Sequence, residues 1–185
     1  RAKNNEKIGI NNKKKNIISI CRLVDQKNIF EIFKIAEKLQ IYNFIVLGDG
    51  LLLEKAKMYL KNKDIKNVFL LGNQADIFNY LYESDLFLST SLYEGHPISI
   101  LEAMSIGLPI VATKVTGNVD TIKNDISGFF YRLGDIKQAS FLIEKIMENK
   151  ALKLKLSNNS FFTHRKLFTT SKMKNSYISL YKKYY

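Results

Sequence analysis

An α/β fold, with six parallel strands, helices on both faces and a helical C-terminal tail, is what three features of this sequence predict. Short apolar runs alternate with longer amphipathic segments, the rhythm of strand–helix units that close into a parallel sheet. Almost every glycine stands at a junction between the two kinds of segment, where a chain reversal needs it. No internal repeat or low-complexity linker divides the 185 residues. Residues 16–150 therefore read as one three-layer, Rossmann-like domain, preceded by a basic segment over 1–15 and followed by a basic helical tail over 151–185.

Strands are expected at Asn16–Cys21, Asn43–Leu47, Asn67–Leu71, Leu86–Ser89, Pro109–Thr113 and Gly128–Tyr131. Each is short and mostly apolar, as strands covered on both faces must be. Helices are expected in the longer segments between them, at Ile29–Gln40, Leu51–Leu60, Asp76–Tyr82 and Pro97–Ile106, where charged residues interrupt the apolar ones. The connection from Lys114 to Ser127 is shorter and has room only for a turn at Val119–Lys123. After the last strand, helices are expected at Ile136–Asn149, Ala151–Asn158 and Lys172–Tyr184.

The stretch Ser91–Thr113, "SLYEGHPISILEAMSIGLPIVAT", carries the chemistry. Both prolines of the chain lie in it. Pro97 suits the first position of a helix, where its missing N–H would be unbonded anyway. Gly107 then ends that helix and Pro109 opens the next strand. The N–H groups of Ile98 and Ser99 are left free at a positively polarised helix end, which suits a phosphate. Glu94 falls in the loop before this helix and Glu102 more than a turn inside it, so the two carboxylates are expected to grip separate hydroxyl-bearing parts of one ligand at different depths. Arg22, Gly48, Gly72 and Glu94 each follow the end of an expected strand, and ligands of such sheets lie beyond those ends.

Glu94 and Glu102 stand as Glu, seven residues, Glu, and "EGHP" and "LEAMSIGLPIVAT" surround them. With "CRLVDQKN" at Cys21–Asn28, "IVLGDG" at Ile45–Gly50, "FLLGN" at Phe69–Asn73 and "ESDLFLSTS" at Glu83–Ser91, this pattern resembles the donor-binding half of retaining glycosyltransferases of the GT-B fold, family four. The resemblance runs over nearly the whole chain. It implies one half of a GT-B fold, a nucleotide diphosphate sugar as donor, and a glycan or lipid-linked acceptor held by a separate N-terminal domain, to which residues 1–15 would be the linker. It further implies that Glu94, in a loop shaped by Gly95, His96 and Pro97, contacts the hexose or N-acetylhexosamine. Glu102 would hold the ribose, and Arg22 and Lys27, with the amides near Ile98 and Ser99, the diphosphate. Gly48 and Gly72 would line the donor site. On this reading the chain alone binds donor weakly and transfers little or nothing. Cys21 and Asn28 stand where this family commonly has glycine, Asn118 where a second glycine often follows Gly117, and Asp120 where glutamate is common.

No metal or other cofactor is implied, since no Asp-x-Asp occurs and Glu83-Ser84-Asp85 immediately precedes a strand. Cationic side chains and the helix start would instead steady the leaving diphosphate. The glutamates as a glycosidase pair are disfavoured, because the resemblance puts one of them on ribose. Cys21 reads as a strand residue rather than a nucleophile, and the tail aromatics Phe161, Phe162, Phe168, Tyr177, Tyr181, Tyr184 and Tyr185 as packing positions.

The net charge of +12 raises nucleic acid as a partner, but its distribution argues otherwise. Residues 1–15 carry net +5, residues 16–149 net −2 and residues 150–185 net +9 with no acid at all. A near-neutral body with basic ends suits an anionic membrane surface or a partner domain better than a nucleic-acid groove. A dinucleotide-binding module would need G-x-G-x-x-G after the first strand, where "CRLVDQKN" stands. A lone cysteine fits a reducing compartment, and no run reaches the roughly 18 apolar residues of a span, so a cytoplasmic location, extending to the inner face of the cell membrane, is expected.

Overall fold

The computed structural model describes residues 13–184, so residues 1–12 of the expected linker and Tyr185 of the tail lie outside the described residues. Its strands are β1 (Asn16–Ile20), β2 (Asn43–Leu47), β3 (Val68–Leu70), β4 (Leu86–Ser89), β5 (Ile110–Thr113) and β6 (Gly128–Tyr131). The helices are α1 (Ile29–Lys38), α2 (Leu53–Asn62), α3 (Ile77–Tyr82), α4 (Ile98–Ser105), α5 (Asn118–Thr121), α6 (Ile136–Glu148), α7 (Lys150–Leu167) and α8 (Thr170–Tyr184). All strand pairs are parallel, in the order β3-β2-β1-β4-β5-β6. Chain order reverses between β1 and β4, whose pairing is Ile17 with Leu86 and Ile18 with Phe87.

Alternation along each strand feeds two cores. Ile17, Phe44, Val46, Leu86, Leu88 and Val111 face α1, α2 and α6, while Ile18, Ile45, Leu47, Phe87, Ile110 and Ala112 face α3 and α4. Helix α1 buries Ile29, Ile32, Phe33, Ile35 and Ala36, spaced three or four apart, and keeps Lys34, Glu37 and Lys38 in water. Each fully buried side chain of this size contributes about 1.5–3 kcal/mol, which explains how strands of three to five residues hold.

The strand starts are locked by asparagines. Asn43 Nδ2 donates to Asn16 Oδ1 at 2.9 Å, Asn16 Nδ2 to the Glu83 carbonyl at 2.9 Å, and Asn67 Nδ2 to the carbonyls of Ala36, Leu39 and Tyr42 at 3.0–3.2 Å. Asp85 accepts the Asn16 amide at 2.8 Å and pairs with Lys153 of α7. These bonds satisfy groups that the layers would otherwise strand without water.

Helix α4 ends in a Schellman motif. Gly107, at φ 81°, donates to the Met104 carbonyl and Leu108 to that of Ala103, both at 3.0 Å. Pro97 is the N-cap of α4 rather than its first residue, so the helix starts one residue later than expected, because the Pro97 ψ of 89° is not helical. The Val119–Lys123 turn proves to be α5, which starts at Asn118. The largest departure is α7, which runs to Leu167 through Asn158 and Asn159, where the sequence was expected to stop it. Packing decides: Leu156 and Ser160 are fully buried and Ser157 and Phe161 press against Gly107, outweighing the poor helix propensity of asparagine. Of the tail aromatics, Phe161 and Phe168 pack, but Phe162, Tyr177, Tyr181 and Tyr184 are exposed because α8 presents every residue to solvent.

Gly48, at φ 127°, ends β2 directly against β1; a Cβ there would overlap the Cys21 carbonyl oxygen. Gly48→Ala is expected to lower stability by at least about 2 kcal/mol in chemical denaturation, since it combines left-handed strain with backbone overlap. An unchanged midpoint would contradict this packing.

Candidate functional site

The site lies at the C-terminal ends of the strands, where β1 and β4 diverge. After β1 the chain turns through a short 3₁₀ segment, Asp25–Lys27, and Asn28 takes the left-handed conformation, φ 48°, that lets α1 begin. Asparagine tolerates that conformation, which accounts for its standing where the resemblance leads one to expect glycine. Four bonds stitch this loop to the end of β4. Thr90 Oγ1 donates to the Lys27 and Asn28 carbonyls at 2.8 and 3.2 Å, Gln26 Nε2 to the Tyr93 carbonyl at 2.9 Å, and the Leu92 amide to the Gln26 carbonyl at 2.8 Å.

Lys27 and Glu94 thereby meet as an ion pair, Nζ to Oε1 at 2.5 Å, with side chains only 16% and 9% exposed. Ser91 Oγ donates to the same carboxylate oxygen at 2.6 Å. The Glu94 amide donates to the Thr116 carbonyl at 3.1 Å, and Gly117, at φ 81°, passes so close that a Cβ would lie 2.5 Å from the Glu94 carbonyl oxygen and 2.7 Å from that of Gly95. Glu94 is thus fixed at backbone and side chain. Lys27, Thr90, Ser91, Glu94 and Ser99 line one narrow cleft together with Cys21, about 10 Å³ in volume, enough for roughly one water. A wider groove of about 780 Å³, walled by Lys114, Val115, Val119, Phe130 and Arg132, opens beyond β5 and β6 and shares the 115–119 loop with the site.

The first turn of α4 points into this region. Neither the Ile98 nor the Ser99 amide has a partner among the described residues, as a helix start without a side-chain cap dictates. Glu102 sits three residues beyond Ser99, on the flank of α4 opposite the buried Ile100, Ala103 and Met104. Burial pushes its carboxyl up from the usual glutamate range. His96 is exposed, and its ring stands 6.0 Å from that of Phe168 at the end of α7. Gly95 is exposed with open space where a side chain would go.

Arg22, which directly follows Cys21, is exposed and has no ionic partner among the described residues. Gly72, at φ 67°, also faces open space, and its carbonyl accepts the Gly48 amide at 2.8 Å. Gly48 therefore serves the meeting of β1 and β2, since a side chain there would strike the Cys21 carbonyl. Cys21 lies just past β1, and burial first, with Glu94 adding and Lys27 opposing, pushes its thiol up to about 12, so it stays protonated and unreactive. No group of three or more His, Cys, Asp or Glu that could hold a metal ion occurs among the described residues.

Ser91, Thr113, Thr90 and Gln26 were not expected from the sequence as parts of this region, and Asn118 was expected there only as a departure from glycine. Thr90, Ser91 and Thr113 had a signal: they are polar residues directly ending apolar strands on the ligand-facing edge.

A family model described as "Glycosyl transferases group 1" matches residues 1–161. The chain belongs to the glycosyl transferases group 1 family. Over 117 residues it is 37% identical to the UDP-Gal:alpha-D-GlcNAc-diphosphoundecaprenol alpha-1,3-galactosyltransferase of Escherichia coli, covering 62% of this chain and 30% of that protein. Over 149 residues it is 30% identical to the N,N'-diacetylbacillosaminyl-diphospho-undecaprenol alpha-1,3-N-acetylgalactosaminyltransferase of Campylobacter jejuni, covering 80% and 39%. The crystal structure of Anabaena Alr3699/HepE with UDP and glucose superposes with a TM-score of 0.88 at 21% identity, over 98% of this chain and 51% of that one. The chain thus spans about a third to a half of these proteins, and its fold is that of one half of a GT-B enzyme.

If Glu102 accepts a ribose hydroxyl, as the sequence resemblance implies, it does so as the carboxylate and not as the protonated acid. Because burial raises its pKa, affinity for nucleotide is expected to fall with decreasing pH from above the ordinary glutamate range, and Glu102→Gln to abolish that dependence. The stability sign is opposite: the folded state holds this proton more tightly, so stability declines as pH rises through the raised value. Glu102→Gln should therefore keep or raise the melting temperature at neutral pH while weakening nucleotide binding about tenfold or more, measured by calorimetric titration across pH.

Proposed function

We propose that this chain is the donor-binding domain of a retaining glycosyltransferase that moves a hexose or N-acetylhexosamine from a uridine diphosphate sugar to a glycan or lipid-linked acceptor. The observation that carries the proposal is the Lys27–Glu94 pair at the β1/β4 divergence, beside the free amides of α4. Cations and carboxylates are both needed where phosphates and sugar hydroxyls adjoin. The uridine nucleotide and sugar class follow the named relatives and the UDP-bound neighbour.

Arg22, Lys27 and the Ile98 and Ser99 amides hold the diphosphate, Glu102 the ribose, and Glu94 with the Gly95–His96–Pro97 loop the sugar. As the bond from the anomeric carbon to the diphosphate lengthens, its electron pair departs with the phosphate, and these cations and amides stabilise the charge that develops. The acceptor binds a second domain closing over the cleft, so this chain alone should show no appreciable transfer. Contact of the basic ends with an anionic membrane surface belongs to the same reading, because a lipid-linked acceptor would be presented there.

The test is thermal stabilisation and calorimetry of the 185-residue chain with UDP, GDP and ADP and their hexose and N-acetylhexosamine conjugates. A uridine diphosphate sugar at 100 times its dissociation constant should add about 2.7 kcal/mol of stability. Arg22→Ala and Lys27→Ala should each weaken binding by about ten- to a hundredfold, the worth of a charged hydrogen bond. Binding of no nucleotide in the panel, or full affinity in both variants, would overturn the proposal.

A further inference from the structure

Glu94 Oε1 is held by two donors of different character. Lys27 reaches it through a flexible four-carbon stem. Ser91 is only 3% exposed, and its carbonyl accepts Thr113 Oγ1 at 2.6 Å. Thr113 is fully buried, and its carbonyl and hydroxyl lie 3.0 and 3.4 Å from Asn118 Nδ2. Asn118 is fully buried too and leaves its Oδ1 without a partner among the described residues, a penalty that only its donor side can offset. A continuous buried chain thus runs from α5 through β5 to the Glu94 carboxylate. Among the described residues, no comparable buried chain restrains Lys27 Nζ, which is held by Glu94.

We propose that Ser91 is the positioning residue that keeps Glu94 in place for the donor's sugar when Lys27 leaves it for the diphosphate. The inference rests on the donor-binding assignment above. A diphosphate carries more negative charge than one carboxylate, so the ammonium turns towards it. A carboxylate released beside phosphates is then pushed away by like charge unless something neutral holds it. The Ser91 hydroxyl does so through Oε1 and leaves Oε2 to accept from a sugar hydroxyl. The Lys27–Glu94 pair is accordingly a charge-balanced arrangement that the phosphates break and replace with two separate contacts.

The experiment measures the affinity of the 185-residue chain for UDP and for the UDP-sugar that stabilises it most, in the wild type and in Ser91→Ala, Ser91→Thr and Thr113→Val. The ratio of the two affinities isolates the sugar. Ser91→Ala should shift that ratio about tenfold against the sugar nucleotide, the worth of one hydrogen bond to a charged group, and leave UDP affinity nearly as it was. Ser91→Thr, which keeps the hydroxyl, should restore the ratio, and Thr113→Val should shift it in the same direction as Ser91→Ala but less. A uniform loss for both ligands, or an unchanged ratio, in folded Ser91→Ala overturns the inference. Should Ser91→Ala not fold, an unchanged ratio in Thr113→Val does the same. Failure of the wild type to bind any nucleotide overturns the donor-binding assignment itself, before any variant is compared.

Discussion

Lys27 and Glu94 meet across the seam where β1 and β4 part, and most of the local structure can be understood as what that meeting requires. Two opposite charges so enclosed give little net stability, because losing water offsets most of their attraction. Their backbones must therefore be held by other means. Thr90, Gln26 and Leu92 tie the β1 loop to the β4 loop, and Thr116 and Gly117 press the Glu94 backbone from the β5 side. The sheet supplies the geometry: only at this reversal of strand order do neighbouring loops turn to opposite faces and leave a crevice between them.

The two ends of the sheet divide labour. At the strand starts, Asn16, Asn43 and Asn67 satisfy one another and the local carbonyls, so the polar groups there are consumed by structure. At the strand ends, polar groups are left over: the α4 amides and Arg22, which have no partner among the described residues, and the half-buried Glu102 whose carboxylate the fold disfavours. A site with capacity to bind is necessarily a place where the folded state tolerates unspent charge and unmade bonds. Glu102 shows the conflict directly, since the same burial that raises its pKa shields any hydrogen bond it makes from competing water.

Much of this was legible in the sequence, for identifiable reasons. The six strands were readable because burial on both faces makes each an apolar run, and Pro97, Gly107 and Pro109 punctuate α4 and β5 through backbone restrictions that do not depend on context. Glu94 and Glu102 were readable from their spacing around that helix. What escaped depends on contacts between distant segments. Helix α7 crosses an asparagine pair because it lies along α4, and nothing local announces Gly107 pressing on Ser157. The packing role of Gly48 was not readable, because a glycine that admits a ligand and one that admits a neighbouring strand are identical in sequence; only the fold brings the Cys21 carbonyl against it.

The two asparagines that replace expected glycines show how a site can change residues without changing shape. Asn28 keeps the left-handed turn that glycine would give, and its Nδ2 also donates to the buried Glu31 at 2.8 Å, anchoring the first turn of α1. Asn118 goes further, since it follows rather than occupies the close contact: Gly117 retains the approach to Glu94, and the next residue is free to carry a side chain inward to Thr113. A second glycine there would leave the Thr113 carbonyl without the Asn118 donor. The substitution thus exchanges backbone freedom for a buried bond close to the point where the loop meets Glu94.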